Sequence, residues 1–198
     1  MDISSYIAGD LLDEIEARLS PSATPATEPY SKQATLAFSR SQLLYDIKNI
    51  AYVEADVMPA EEEHQRHQVF DIAEDGNVDR VTRVMDLAVD KCKEILFPLT
   101  KSVVDEMESR DDNLKETQVY YIYLSLPQSF SKTTLDYLSK LIHEFIVYTV
   151  LVDWLSITDI TNESAYQKWA NKLSDVITEI GRAKSTKIRR ARRTQTPF

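Results

Sequence analysis

Residues 135–157 read LDYLSKLIHEFIVYTVLVDWLSI, and between Phe145 and Leu155 only Thr149 and Asp153 lack a large apolar body. A helix with a single apolar stripe can rest on a surface, but one that is apolar around its circumference has to be surrounded. The rest of the chain must therefore cover this segment on several sides. Its most hydrophobic part, Leu141 to Ile157, is near the minimum length for a membrane span, yet His143, Glu144 and Asp153 interrupt it. The expectation is a protein-buried helix in a soluble chain without membrane contact.

Helices are the better candidates for the cover. Only 3 glycines and 7 prolines occur in 198 residues, too little turn chemistry for a many-stranded sandwich or barrel. Ile3, Ile7, Leu11, Leu12, Ile15 and Leu19 recur at helical spacing, with Asp10, Asp13, Glu14 and Glu16 largely off the stripe. Residues 20–31, SPSATPATEPYS, have almost nothing to bury and read as a linker. A short extended piece over 34–38 precedes a second helix carrying Leu43, Leu44, Ile47, Ile50 and Ala51, which Pro59 closes after about Val57. Residues 61–76, EEEHQRHQVFDIAEDG, have no period and many charges and read as a solvated loop. Asn77 is expected to cap a third helix with Val78, Val81, Met85, Ala88, Cys92 and Ile95 on one face.

Residues 119–126, VYYIYLSL, are dense in β-branched and aromatic side chains and end at Pro127, the clearest strand signal in the chain. Its alternation sends Tyr120, Ile122, Leu124 and Leu126 to one face, and Val119, Tyr121 and Tyr123 to the other. Residues 101–107, through a turn near 110–113, are the expected partner. Ser131 or Thr133 caps the long apolar helix. Thr161 or Asn162 opens a fifth, with Ala165, Tyr166, Trp169, Leu173, Val176, Ile177 and Ile180 on one stripe and Gly181 as its C-cap or a pivot. The expected class is mainly α: about five helices around a central apolar helix at about 132–157, with one short hairpin or strand near 117–126. We expect a single domain over 1–198, comprising a helical arm (1–19), a flexible linker (20–32), a helical body (33–181) and a basic tail (182–198).

No motif with catalytic spacing emerges. His64 and His67 stand among Glu61, Glu62, Glu63 and Asp71, but the order EEEHQRH lacks the HExxH arrangement of zinc hydrolases. Residues 71–82 place Asp71, Asp75 and Gly76 as a calcium loop would, yet Ala73 and Thr82 fall where oxygen ligands are needed. Ser129 and Lys132 fit a Ser-x-x-Lys pattern without its companion motifs. Cys92 lies on an apolar stripe, where a thiol is core. The expectation is no enzyme, no cofactor and no metal.

Surfaces are more promising. On the outer face of a strand pair Tyr121 and Tyr123 would be exposed unless a partner covers them. With Trp154 and Trp169, whose helical spacing also suits packing anchors, they are the candidate subunit interface. Arg182, Lys184, Lys187, Arg189, Arg190, Arg192 and Arg193 carry seven positive charges with no acid among them, so a net charge of −9 leaves −16 on the remainder. Such a tail suits an acidic surface on another subunit or a polyanion, including nucleic acid. The single cysteine excludes an internal disulfide, and the acidic start is unlike a signal peptide, so cytoplasmic synthesis is expected.

From Thr117 onward the order TQVYYIYLSLP, the long LDYLSKLIHEFIVYTVLVDWLSIT, SAYQKWANKLSDVITEI and the terminal RRARRTQTPF resembles small helical connector or neck proteins at the head–tail junction of tailed bacteriophages and prophages. The resemblance spans residues 117–198. It implies a structural protein of virion assembly: a homo-oligomeric ring that contacts portal or tail proteins and resides in the virion if phage-derived. The alternative is a cytoplasmic nucleic-acid-binding or regulatory module that uses the basic tail.

Overall fold

Residues Lys32–Ser39 form strand β1 and run without a break into helix α1, Arg40–Val57. Helix α2, Glu63–Phe70, continues through a 3-10 turn at Asp71–Ala73 towards helix α3, Val78–Ile95. Strand β2, Val119–Leu126, helix α4, Lys132–Thr158, and helix α5, Glu163–Ser185, complete the chain order. The computed structural model describes residues 32–58, 63–102, 111, 113–114, 116–158 and 163–185. The expected arm at 1–19, the linker up to Ser31, and the tail beyond Ser185 lie outside the described residues. Helix takes up 71% of what is described, so the chain is mainly α with one two-stranded element, as its periodicity and sparse glycine imply.

The all-round apolar segment is α4, and α1, α2, α3 and α5 all pack against it. Eleven of its side chains are buried, among them Leu138, Ile142, Phe145, Ile146, Val150, Leu151 and Trp154. These point in every direction around the helix, so no single neighbour could cover them. Each covering helix brings one stripe. In α1 it is Leu43, Ile47, Ala51 and Ala55, spaced by four; in α3 it is Val81, Met85, Ala88, Val89 and Cys92. Each large aliphatic side chain taken out of water contributes about 1.5–3 kcal/mol, and these stripes meet in one continuous core. Among the described residues α4 alone is long and apolar enough to cross a membrane, and half of its most apolar 18-residue window is buried inside the protein.

The polar groups that interrupt α4 serve as ties. His143 Nε2 lies 2.8 Å from Asp46 Oδ2 on α1, and Asp153 accepts from Arg80 of α3 at 2.9 Å. Thr149 donates to the carbonyl of Phe145 one turn back, which satisfies its hydroxyl within the helix.

Strands β1 and β2 pair antiparallel, in a register that sets Leu36 opposite Ile122 and Phe38 opposite Tyr120. The described partner of β2 is β1, about eighty positions upstream, a pairing the sequence pattern does not announce; residues 103–107 of the expected partner lie outside the described residues. Both strands alternate, so pairing them in this register puts Leu36, Phe38, Tyr120, Ile122, Leu124 and Leu126 together on the covered face. Residues 101 and 102, the described part of the expected partner, are not in a strand.

Two further expectations give way. Much of the stretch taken as a loop, 61–76, is α2 and its 3-10 turn. Val69, Ile72 and Ala73 are buried there, Arg66 Nε donates to the carbonyl of Ala55 at 3.0 Å, and the Phe70 ring meets Tyr52 at 5.2 Å. Tertiary anchors hold a segment whose own periodicity is too weak to read. Gly181 neither caps α5 nor bends it to an end, because the helix continues to Ser185. Helix α5 is described through Ser185, and Lys32 is part of β1.

Candidate interaction surface

The β1–β2 ribbon is covered on one face only. Its outer face presents Thr35 opposite Tyr123 and Ala37 opposite Tyr121. Tyr121 is 49% exposed and Tyr123 69% exposed. Their rings lie nearly parallel, 19° apart with centroids separated by 6.4 Å, because residues two apart in a strand point the same way. The small side chains across from them leave both rings bare. As expected from the alternation, Tyr120, just before them, and Ile122, between them, point inward, at 5% and 0% exposed.

The ladder parity defines the edges. Arg40 N–H donates to Gln118 O at 3.0 Å and continues the pairing, whereas Ser125 N–H turns away from β1 and donates to Leu99 O at 2.7 Å. Val119, Tyr121 and Tyr123 share the parity of Ser125, so their backbone groups point along the outer edge of β2. Leu99 takes up this edge at Ser125.

Beside that edge runs a cleft of about 510 Å³ between β2 and α3. Tyr120, Tyr121 and Tyr123 line it from the strand, Asp86, Asp90 and Lys93 from the helix, and Asp111 from the connecting segment. Tyr120 donates its hydroxyl to Asp86 Oδ1 at 2.9 Å. Burial pushes the Tyr120 hydroxyl well above the usual tyrosine range, and the bond to Asp86 and its charge push the same way. Lys93 pairs with Asp90 at 2.9 Å.

A second, smaller groove of about 280 Å³ separates α1 from α4, lined by Asn49, Ile50, Glu144, Val147, Tyr148 and the Asp46–His143 pair. Burial, and secondarily the charge of Glu144, raises the Tyr148 hydroxyl. Nothing in the sequence marks Asp46 and His143 as partners, since 97 positions separate them.

The two tryptophans lie inside the chain. Trp154 is 6% exposed and Trp169 5%; Trp169 packs against Tyr148 with ring centres 5.1 Å apart and planes tilted by 54°, and the Lys172 ammonium lies 4.0 Å from its ring centre. They pack α4 against α5, which leaves the tyrosine pair as the exposed members of the candidate interface. Lys184 bends back to donate to the carbonyls of Ile95 at 2.6 Å and Phe97 at 2.9 Å, where α3 ends. Arg182 pairs with Glu179. Lys187, Arg189, Arg190, Arg192 and Arg193 lie outside the described residues.

His64 and His67 sit exposed on α2, and among the described residues no group of three or more metal-binding side chains converges; Glu61 and Glu62 are outside that set. Asn77 does not cap α3 with its side chain, which donates instead to Asp71 O at 2.9 Å. Thr82, at the last position of the calcium-like stretch, is buried and accepts from Arg40 at 2.8 Å. Ser129 occupies an exposed turn. Cys92 is fully buried, and burial pushes its thiol up to about 12.

No protein-family model matches this chain, and neither a curated protein nor a solved structure does.

Proposed function

We propose that this chain is a non-enzymatic assembly subunit that works through protein–protein contacts, of the connector or neck kind found at the head–tail junction of tailed phages and prophages. The observation that carries the assembly reading is the bare ribbon face, where Tyr121 and Tyr123 stack in solvent. Rigid aromatic rings offer large contact area at small entropic cost and are enriched at interfaces. The connector assignment rests on the resemblance over residues 117–198, and the geometry supports its assembly component.

Light scattering on the full chain, coupled to size exclusion, tests this reading. The expected mass is a multiple of 22.7 kDa, falling towards the monomer in a Tyr121→Ser/Tyr123→Ser variant that retains its helical circular dichroism. A wild-type chain that stays monomeric at high concentration, both alone and when mixed with portal or tail proteins encoded beside it, overturns the proposal.

A further inference from the structure

The register of the ribbon sets a large side chain opposite a small one twice on its outer face, Tyr121 opposite Ala37 and Tyr123 opposite Thr35. That face is therefore a ridge of two stacked rings along β2 beside a hollow along β1. The odd-numbered residues of both strands point outward, and none of those eight positions carries a charge, in a chain where 28% of residues are charged. A face built for a charged partner carries the complementary charge. A face that meets its own copy is best uncharged near the twofold axis, because there each charge approaches its like.

Two orientations lay such a face on a copy of itself. With the axis across the strands, Tyr121 of one copy falls on Tyr123 of the other, so that ridge meets ridge and hollow faces hollow. With the axis along the strands, β2 of each copy lies over β1 of the other. Each tyrosine then meets the kind of small residue that already stands opposite it in its own ribbon. Sheets packed face to face stand about 10 Å apart with their strands aligned to within about 30°. Rings seated in hollows fit that gap, and rings meeting tip to tip do not.

We propose that two copies of this chain pack ribbon face on ribbon face about a twofold axis parallel to the strands, with Tyr121 and Tyr123 of each seated over Ala37 and Thr35 of the other. This rests on the assembly reading and adds to it the partner and the geometry. Eight residues of strand run about 26 Å, and two strands present a width of about 10 Å. Such a face is well under the roughly 800 Å² that each partner gives to a standard interface. On its own the contact is of the transient class, so it is measured over a concentration series.

The test exchanges size across the axis in the full chain. Ala37→Tyr sets ring against ring at two contacts, and Tyr121→Ala leaves the same two empty. Each variant alone should associate at least about tenfold more weakly than the wild type. Mixed, they complement one another, because every contact again pairs one ring with one small side chain. Both positions are exposed, so the helical circular dichroism should be unchanged. Native mass spectrometry of the isotopically heavy Ala37→Tyr chain mixed with the light Tyr121→Ala chain should show mixed dimers in at least about tenfold excess over either like dimer. The pair Thr35→Tyr and Tyr123→Ala should repeat the pattern. Mixed and like dimers in statistical proportion, or variants that associate as the wild type does, overturn the twofold geometry while wild-type association keeps the assembly reading. A wild-type chain that is monomeric throughout the series overturns the self-pairing, and its mixture with portal or tail proteins then decides the assembly reading separately.

Discussion

The Tyr120 hydroxyl donates to Asp86 Oδ1 across 2.9 Å and ties the ribbon to α3 at the rim of the cleft. Hydrogen bonds to a charged acceptor contribute about 1.5–3 kcal/mol, and Asp86 is only partly buried, so Tyr120→Phe should cost near the lower end of that range. The pH dependence has a definite sign. A raised folded value means that the folded chain holds its phenolic proton longer than the unfolded chain. The contribution is complete below the unfolded value of 10.0 and is lost as pH rises through the raised folded value. Urea melts at pH 8 and above pH 10 should show stability falling for the wild type and falling less for Tyr120→Phe.

Cys92 provides a second pH signature. Its thiol, at 9.0 when free, is pushed up to about 12 by burial, with a smaller opposing effect of Lys93. Unfolding releases a more acidic thiol, so this group destabilises the folded chain progressively from pH 9 upward. At neutral pH the native thiol should resist iodoacetamide and react only on unfolding. Alkylation followed by mass spectrometry, with and without urea, checks this; rapid labelling of the native chain would contradict the burial of Cys92.

Long periodic segments were legible in the sequence and tertiary pairings were not. Leu43, Ile47 and Ala51 announce α1, and the alternation in VYYIYLSL announces both faces of β2, because those patterns lie within one element. The identity of β1 as partner required knowing that Leu36 and Phe38 complete the buried face of Tyr120 and Ile122, a relation between segments about eighty positions apart. Helix α2 was hidden for a related reason: its anchors Arg66 and Phe70 meet Ala55 and Tyr52 of α1 rather than one another. At the surface, the exposure of Tyr121 and Tyr123 followed from strand parity, while the acidic wall of the cleft depended on which face of α3 turns towards β2.

The central helix makes a contrast of its own. Ile142 is fully buried and Tyr137, five positions earlier on the same helix, is 48% exposed. Ile142→Ala removes packed methyl groups and leaves a cavity, at about 2–5 kcal/mol. Tyr137→Ala on the solvent side should cost within about 0.5 kcal/mol. Denaturant midpoints of the two variants measure the difference, and comparable losses would mean that the face carrying Tyr137 is covered.

Lys184 tests where the body ends. Its ammonium donates to Ile95 O and Phe97 O, carbonyls at the C-terminal end of α3, where the helix dipole also favours positive charge. Two charge-assisted bonds, partly exposed and screened by salt, give an expected loss of about 1 kcal/mol for Lys184→Met. The loss should be local as well as global: hydrogen exchange in the last turn of α5 should quicken while the middle of α4 keeps its protection. Lys184→Arg should recover part of the stability, since it restores the charge but not the compact head that fits between two carbonyls. If α5 instead ended at Gly181, as the sequence pattern suggests, Lys184→Met would leave both stability and exchange unchanged.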